Sequence, residues 1–426
     1  MDYQRTTRAE RERIQQFSAD RLATYQLERL NQLLAEILPH NEFYATKFGK
    51  SKTQLQSLRQ LVELPYTSKN ELLGDESSAG FALNLTYPID AYCRFHRTSG
   101  TRGKPMVVLD TLEDWQWWME TWQSVLDSAD LVADDRVLMA FSFGPFIGFW
   151  SAFDAAVERG CLVAPTGAMT TLARLEMINS ICATVIFCTP SYALHMAEVA
   201  RENNIDVSNS AVRCIIVAGE PGGSIAAIRE QIESFWDAKV IDHSGASEVG
   251  PWGFAEPMGR GIYVNEAQFI AEFISIENGE PAGDGELSEL VLTTLGRAGS
   301  PVIRYRTGDL VKPTWKDDQS SNFVLLVGGV LGRTDDMMIV RGVNVFPTSI
   351  EQIIRSFPEV VEYRLTAYKK SAMDQLRIEI EDRLQQPERV KQELQLRLGL
   401  RVDVDCVPSG TLPRFEAKGK RFIDNR

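Results

Sequence analysis

Residues 97–105 read RTSGTRGKP, a run of hydroxyls and glycines that ends in one lysine and follows a predicted strand. Glycines let the backbone turn tightly and bring bare N–H groups close to an anion. The hydroxyls add donors, and the lysine adds a positive charge. The run predicts a loop that wraps a polyphosphate, although a solvated turn is the alternative for such a segment taken alone. The candidate phosphate-binding residues are Thr98, Ser99, Gly100, Thr101, Gly103 and Lys104.

The loop does not follow the Walker pattern, in which four residues separate the first glycine from a Gly-Lys-Ser/Thr ending. Four further segments follow it: AGEP at 218–221, GASEVGP at 245–251, RYRTGDL at 304–310, and GRTDD at 332–336 with RGVNVFP at 341–347. In this order, the five segments resemble the acyl-adenylate-forming superfamily, which contains acyl-CoA synthetases, peptide-synthetase adenylation domains and luciferases. The segments 190–194, 301–306 and 419–424 are most similar to phenylacetate-CoA ligases, and the resemblance covers residues 60–426.

The resemblance implies a reaction and assigns parts of it to residues. In that reaction a carboxylate attacks the α-phosphorus of ATP, while oriented donors, cations and Mg²⁺ stabilise the charge on the phosphoryl oxygens. Glu248 is the implied Mg²⁺ ligand, Ser247 the donor to the α-phosphate, and Asp309 the acceptor for the ribose hydroxyls. Lys418, with Lys420 as the alternative, is the implied adenylation lysine. The other implied nucleotide contacts are Gly219, Glu220, Pro221 and Arg333.

Adenine recognition departs from the pattern of the superfamily. Its members usually read Tyr-Gly-x-Ser-Glu, with the tyrosine stacked on adenine, whereas Ser244 stands at that position here and His243 precedes it. A serine cannot stack on a base, so we expect weaker adenine binding unless His243 or another ring takes over. Arg102 also replaces the more usual threonine of the phosphate loop and adds positive charge there.

The candidate acyl pocket begins at AFSFGP, residues 140–145. Related ligases line this pocket from the same strand-to-helix turn, commonly with tyrosines, so Phe141 and Phe143 are its implied walls, together with Gly245 and Ala246. Phenylalanines in place of tyrosines remove two hydroxyls and favour a more apolar substrate. Simple packing is an equal alternative for both rings. For the tryptophans at helical spacing in 115–122, core packing is the better interpretation.

Composition argues against several classes of function. The chain has 426 residues and a formal net charge of −13, which argues against a nucleic-acid or anionic-membrane surface. An anionic nucleotide must therefore meet local basic groups, for which we expect Lys104, Arg304, Arg306 and Arg333. No secretory signal is visible in residues 1–16 and no apolar stretch reaches the length of a membrane span, so a cytoplasmic location is expected.

The cysteine pattern indicates neither a disulfide framework nor a metal site. We expect the six cysteines to be buried, reduced thiols, because most of them lie in apolar runs and no CxxC pair occurs. Some phenylacetate-CoA ligases carry a zinc site just after the glutamate motif. Residues 252–261 contain neither cysteine nor histidine, so we predict no structural zinc.

Short β-branched runs alternate with helical segments, which predicts an α/β fold. We expect a long helix or a helical pair over residues 8–38, helix-flanked sheets in a large N-terminal domain, and a β-rich subdomain over 268–311. A small, mobile α+β domain follows. The predicted boundary gives an AMP-binding (adenylation) domain at 1–335 and a C-terminal domain at 336–426, with Asp335 as the hinge implied by the resemblance.

These features predict an ATP-dependent, AMP-forming ligase that activates an aryl, phenylacetate-like carboxylic acid and transfers it to coenzyme A, releasing AMP and pyrophosphate. Two alternatives stay open: an adenylating enzyme that loads its acyl group onto a carrier-protein thiol or another acceptor, and a non-catalytic nucleotide-binding relative. The expected ligands are the acid, ATP, Mg²⁺ and coenzyme A. No nucleic-acid or membrane partner is expected, and a homodimer is one option for the assembly.

Overall fold

A computed structural model describes residues 5–49, 54–74, 78–98, 104–315, 320–336, 338–340, 343–370, 373–398, 402–414 and 421–426. Over these ranges the helices are α1 (Arg8–Gln15), α2 (Ala19–Ile37), α3 (Glu42–Phe48), α4 (Lys69–Leu72), α5 (Leu112–Ser128), α6 (Ile147–Glu158), α7 (Thr171–Ser180), α8 (Pro190–Glu202), α9 (Ala226–Trp236), α10 (Pro347–Arg355) and α11 (Pro387–Leu398). Short 3₁₀ helices cover Leu58–Glu63, Ile89–Ala91, Val207–Asn209 and Thr334–Asp336.

The strands lie in five sheets within the same ranges. They are β1 (Arg94–Arg97), β2 (Val107–Asp110), β3 (Arg136–Met139), β4 (Leu162–Pro165), β5 (Val185–Cys188), β6 (Cys214–Val217), β7 (Lys239–Ala246), β8 (Gly250–Ala255), β9 (Gly261–Val264), β10 (Phe269–Ser275), β11 (Ser288–Thr294), β12 (Tyr305–Val311), β13 (Pro313–Thr314), β14 (Leu325–Val327), β15 (Gly332–Arg333), β16 (Met338–Val340), β17 (Val343–Val345), β18 (Val360–Lys370), β19 (Met373–Asp382), β20 (Asp403–Cys406) and β21 (Phe422–Asn425). The predicted α/β fold is confirmed.

The largest sheet has the strand order β13-β14-β9-β8-β7-β6-β5-β3-β4. Its strands are parallel from β4 to β7, and each later neighbour is antiparallel. β5 and β6 read VIFC and CIIV and are buried at every position, as expected for parallel strands covered on both faces. β7 therefore joins the parallel and antiparallel parts of the sheet, and Ser247 and Glu248 follow directly after it.

Helix α5 fills the core on one face of this sheet. A reciprocal capping box between Thr111 and Asp114 begins the helix. Trp115, Trp118 and Trp122 are at most 4% exposed, and each indole N–H donates to a polar side chain. Core packing of these tryptophans is confirmed, and each buried indole N–H has a hydrogen-bond partner.

The N-terminal residues form the predicted helical pair, α1 and α2. Leucines on one side of α2 pack with α3 against the sheet β10-β11-β12-β15, which is the predicted β-rich subdomain. Tyr44 of α3 is buried, and its hydroxyl accepts from the backbone N–H of Ile303 at 2.9 Å. This contact fixes the backbone just before β12, the strand that carries the RYRTGDL motif.

The described residues from 338 onward form a small unit with its own hydrophobic core. Its sheet has the order β20-β19-β18-β21, with β18 and β19 antiparallel and both outer strands parallel to their neighbours. Helices α10 and α11 pack with this sheet, and the α+β character predicted for this part of the chain is confirmed. β21 was not predicted, because FIDN is a short, half-exposed segment without a run of apolar residues.

Candidate active site

A hairpin of β1 and β2 carries the predicted phosphate loop. The backbone N–H of Thr98 donates to the Met106 carbonyl at 3.0 Å, and Thr98 Oγ1 accepts from the Met106 N–H at 2.9 Å. Thr98 thus closes the base of the loop, and Lys104 is exposed on its other side. The predicted residues Ser99, Gly100, Thr101 and Gly103 lie outside the described residues.

Lys69, a residue that the sequence did not single out, lies beside this loop. Its Nζ donates to Thr98 Oγ1 at 3.4 Å and lies 3.6 Å from Glu248 Oε1. Lys69 is the first residue of α4, which begins at a capping box of Ser68 and Glu71. A cation in the first helical turn opposes the helix dipole. That unfavourable position was the one available signal that Lys69 has another partner.

Tyr305 orients the predicted metal ligand. The hydroxyl of Tyr305, from β12, donates to Glu248 Oε1 at 2.9 Å. Tyr305 is 2% exposed, and burial, together with the neighbouring Glu248 carboxylate, raises the pKa of its hydroxyl well above the usual value. The tyrosine therefore stays a neutral donor and holds one oxygen of Glu248 in place.

The surroundings of Glu248 suit a Mg²⁺ ion that binds together with a phosphate. Oε1 is shared between Tyr305 and Lys69, and no described group bonds to Oε2. No group of three His, Cys, Asp or Glu side chains that could hold a metal occurs among the described residues. Mg²⁺ commonly takes one or two carboxylates and completes its shell with water and substrate phosphates. The donor set here suits that arrangement and not a metal site made of protein alone.

A buried ion pair supports the backbone of Ser247. Arg297 and Asp110 are both fully buried, and the Arg297 guanidinium bonds to Asp110 Oδ1 at 2.7 Å. Arg297 Nη1 also donates to the Ser247 carbonyl at 3.1 Å. Asp110 lies in β2 of the phosphate hairpin, so one arginine ties that hairpin to the segment that carries Glu248.

Asp309 and Arg333 face each other across two strands. They are register partners in β12 and β15, and Arg333 Nη1 lies 3.0 Å from Asp309 Oδ1. Arg333 Nε also contacts Asp335 Oδ1 at 3.1 Å. Gly308 has a φ of +75°, and a side chain there would meet the Arg333 guanidinium. The predicted ribose ligand, the predicted nucleotide arginine and the predicted hinge residue are therefore neighbours.

Two of the arginines expected to meet the nucleotide have other partners. Arg304 is 4% exposed, pairs with Glu272 at 2.7 Å and also donates to backbone carbonyls of 62 and 64. Its assignment to the nucleotide is wrong, because a motif of basic residues does not show which side chain turns inward. Arg306 is paired with Glu289 and is half-exposed. Lys104 and Arg333 stay predictions.

His243 cannot replace the missing adenine-stacking ring. Side chains alternate along β7, so His243 points to the opposite face from Asp242 and Ser244. It is buried against Trp122, with ring centroids 4.3 Å apart, and its Nδ1 lies 2.7 Å from the Gly253 carbonyl oxygen. Burial lowers the pKa of His243 to about 4. Asp242 shares the face of Ser244, accepts from Ser224, and has a pKa that burial raises to about 6.

The AGEP segment follows β6 in the main sheet. Gly219 has a φ of +92°, which glycine adopts without strain. The Glu220 carboxylate accepts from the Ser191 N–H at 2.8 Å and lies 4.0 Å from Arg421 of the small unit. The Glu220 side chain thus serves an internal contact. The backbone of Gly219, Glu220 and Pro221 stays the predicted contact to the base.

Aromatic rings cluster at the predicted acyl pocket. Phe141 stacks on Phe149 with centroids 4.1 Å apart, and Phe143 meets Trp150 edge-on at 5.0 Å. A Cβ added at Gly167 would lie 2.9 Å from the Phe143 ring, so Phe143 also closes against this glycine. Gly245 is exposed and Ala246 half-buried at the end of β7. The rings are packed together, which fits both alternatives weighed for them.

Some expectations are corrected and others fall outside the described ranges. Cys93 and Cys182 are exposed and not buried, whereas Cys161, Cys188 and Cys214 are buried as expected. Lys418 and Lys420 lie outside the described residues. Within the part of the chain that the structure describes, no helix is long and apolar enough to span a membrane.

Comparisons with known proteins identify the family of the chain. The family described as "AMP-binding enzyme C-terminal domain" matches residues 342–426. The phenylacetate-coenzyme A ligase of Pseudomonas putida is 30% identical over 96% of this chain and 95% of its own length, and that of Aromatoleum evansii is 31% identical over 97% of each.

A solved structure of 2-hydroxyisobutyryl-CoA ligase in the postadenylation state, with its acyl-AMP, has a TM-score of 0.91 at 26% identity, covering 100% of this chain and 94% of its own. The same relative in the thioesterification state has a TM-score of 0.73 at the same identity and coverage. Because the likeness to curated ligases reaches 30% identity over nearly the whole chain, the protein belongs to the phenylacetate-coenzyme A ligase family and is an AMP-forming acid–CoA ligase.

Proposed function

We propose that this chain converts an aryl carboxylic acid into its coenzyme A thioester in two steps at one site. In the first step the carboxylate attacks the α-phosphorus of ATP, the acyl-AMP anhydride forms and pyrophosphate leaves. In the second step the thiol of coenzyme A loses its proton and attacks the acyl carbon, and AMP leaves. Phenylacetate and its ring-substituted relatives are the expected acids, because the full-length relatives carry that name.

One observation carries the proposal: segments distant in the sequence converge on Glu248. Lys69 precedes the phosphate loop, Thr98 begins it, and Tyr305 lies more than two hundred residues later. Tyr305 and Lys69 both contact Glu248, and Lys69 also donates to Thr98. A cation, a hydroxyl and an oriented carboxylate at the base of a Gly/Ser/Thr loop match the needs of a metal–polyphosphate.

Each group has a separate task in the first step. Glu248 would hold Mg²⁺ together with phosphate oxygens, and the bound ion would supply charge neutralisation to the nucleotide. Lys69 and Lys104 bind phosphate oxygens, and Ser247 donates to the α-phosphate. Tyr305 fixes Oε1 of Glu248 and leaves Oε2 for the metal. These contacts strengthen as charge moves onto the leaving pyrophosphate, which is how they lower the barrier.

The nucleoside is held by the two strands beside this cluster. Asp309 accepts from the ribose hydroxyls while Arg333 fixes one of its oxygens. Asp242 is the acidic side chain that β7 presents on the face of Ser244, and its carboxylate can accept a hydrogen bond from the exocyclic amine of adenine. Ser244 leaves the face of the base without a ring, so adenine binding depends on these edge contacts.

The acyl group is held by the aromatic cluster at the start of α6. Phe141 and Phe143 offer apolar ring faces without the hydroxyls of tyrosine. An aryl ring gains both burial and ring–ring contact there. Gly245 and Ala246 lack bulk at the end of β7 and leave room for the carboxylate to approach the α-phosphate.

The small domain changes position between the two steps. We assign residues 1–335 to the adenylation domain and 336–426 to the C-terminal domain, with Asp335 as the hinge and Lys418 as the adenylation lysine. The likeness of this chain to the postadenylation state of a relative, above its likeness to the thioesterification state, supports an arrangement suited to the first step. The pair of Arg333 and Asp335 at the boundary supports the hinge.

Isotope exchange between pyrophosphate and ATP tests the proposal. The purified chain is assayed with phenylacetate, hydroxyphenylacetates, benzoate and an aliphatic acid, each with Mg²⁺ and without coenzyme A, and thioester formation is then measured with coenzyme A. Exchange with the aryl acids and a CoA thioester product support the proposal. Exchange followed by transfer only to a phosphopantetheinylated carrier protein contradicts the second step. AMP binding by calorimetry without exchange identifies a non-catalytic relative.

A further inference from the structure

A groove separates helices α8 and α9 from the small unit, and several charged side chains of both parts line it: Glu198, Arg201, Arg383, Arg414, Glu362 and Arg421. The groove lies outside the cluster around Glu248. Ion pairs cross it at two places, and the residues on the small-unit side, Arg414 and Arg421, flank residues 415–420. The groove is therefore where the small unit is fastened to the rest of the chain.

The first crossing joins Arg414 to helix α8. Arg414 Nε lies 3.4 Å from Glu198 Oε2, while its Nη2 lies 2.8 Å from Glu381 Oε2 in β19. Glu381 also accepts from the backbone N–H groups of Gly410 and Leu412, so Arg414 is fixed within the small unit. Glu198, in contrast, belongs to the large body. An arginine that Glu381 already holds within the small unit thus pairs with the Glu198 carboxylate of the large body.

The second crossing joins Arg421 to the AGEP segment. Arg421 makes two bonds to Glu362 of β18, at 2.6 and 3.0 Å, and its Nη1 lies 4.0 Å from Glu220 Oε2. Glu220 is in turn held by the Ser191 N–H at the start of α8. Both crossings therefore have the same geometry. In each, one carboxylate of the small unit holds an arginine, and that arginine also approaches a second carboxylate in α8 or next to it.

The structure describes these contacts in one arrangement of the two parts. The chain is more similar to the postadenylation state of 2-hydroxyisobutyryl-CoA ligase than to its thioesterification state. The side chains of Glu198 and Arg414 are 18% and 23% exposed, so their attraction is only partly screened by solvent. A contact made in one arrangement only shifts the equilibrium toward that arrangement by its own free energy.

We infer that Glu198 is a positioning residue for acyl adenylation, which it favours by holding Arg414 and with it the small domain in the adenylating arrangement. The inference rests on the proposed two-step function. Glu198 is a better probe than Arg414, because Arg414 also satisfies Glu381 inside the small unit and its loss would disturb that unit directly. Glu198→Gln keeps the size of the side chain and removes its charge, including the attraction to His195 of the same helix, whose Nδ1 lies 3.9 Å from Glu198 Oε2.

The two half-reactions are measured separately in wild type, Glu198→Gln and Glu176→Gln. Glu176 is exposed on the neighbouring helix α7, does not line the groove and serves as the control. We expect pyrophosphate exchange to fall about fivefold or more in Glu198→Gln, as for a coupling of ordinary size, while thioester formation from chemically prepared acyl-AMP is unchanged or faster. Glu176→Gln should match wild type in both. Equal losses in both half-reactions, or no loss in exchange, would overturn the inference.

A measurement without substrate separates this inference from the proposed function. Backbone hydrogen exchange is followed in peptides covering residues 190–202 and 355–365, on the two sides of the groove. Faster exchange on both sides in Glu198→Gln, and not in Glu176→Gln, supports the contact even if no acid in the panel is adenylated. Unchanged protection on both sides contradicts it, whatever the activity of the wild type.

Discussion

Tyr305→Phe removes one hydroxyl from the centre of the site and keeps the ring. The lost bond is the 2.9 Å contact to the Glu248 carboxylate, and a hydrogen bond to a charged group is worth about 1.5–3 kcal/mol. At about 1.36 kcal/mol for each factor of ten, this corresponds to a loss of roughly 10- to 150-fold in kcat/KM for Mg·ATP. Lys69, 3.6 Å away, is then the remaining partner of Glu248 and competes with the metal.

The control for this variant has the same chemistry at another place. The hydroxyl of Tyr87 donates to Glu36 Oε1 at a distance of 2.5 Å, and this pair lies outside the candidate site. Tyr87→Phe therefore removes a comparable hydrogen bond. Pyrophosphate exchange is measured against Mg·ATP concentration, and melting temperature is followed for both variants. We expect loss of activity in Tyr305→Phe alone, with similar melting temperatures. Activity within twofold of wild type, or an equal loss in Tyr87→Phe, would refute the role of Tyr305.

Three further predictions follow from the same geometry. Lys69→Met should leave the fold unchanged and lower the rate of adenylation about 10- to 100-fold, because an electrostatic stabiliser is lost. The control is Lys47→Met, which breaks an ion pair with Glu71 of the same short helix and should leave pyrophosphate exchange unchanged. Asp309→Asn should weaken AMP binding about tenfold in calorimetry, because a charge-assisted acceptor is lost, and unchanged affinity would contradict the ribose assignment. Burial lowers the pKa of His243 to about 4 from an ordinary 6.5, so its contribution to stability is present above pH 6.5 and is lost as the pH falls. The free energy of unfolding, measured with denaturant, should fall by about 2 kcal/mol between pH 7 and pH 5 because of His243. The His243→Asn variant should lack this part of the fall.

Local patterns were sufficient to predict most of the fold. The alternation of buried strands and capped helices depends on near neighbours, and so do the helices of the C-terminal part. β21 escaped prediction because FIDN becomes a strand only by pairing with β18, more than fifty residues earlier. A segment of four half-exposed residues has no local signal of that partner.

The site was predictable where its residues share a motif and not where they meet across the fold. Glu248 and Asp309 were found from the segments that contain them. Lys69 was missed because its contacts lie 29 and 179 residues away, and Arg304 was misassigned because it belongs to a basic motif but turns into an ion pair with Glu272. A sequence shows which charges are present, and only the packing shows which of them face one another.

The charges of the site are balanced in pairs before a nucleotide arrives. Lys69 lies 3.6 Å from Glu248, and Arg333 lies 3.0 Å from Asp309. A metal that came alone would share the Glu248 carboxylate with the Lys69 ammonium 3.6 Å from Oε1, at a cost in repulsion between the two cations. A metal that comes with a polyphosphate avoids this cost, because the phosphates pair with Lys69 while the metal takes Glu248. Since the formal net charge of −13 gives ATP no long-range attraction, these local exchanges must supply the binding energy. We therefore expect nucleotide and metal to enter the site as one complex.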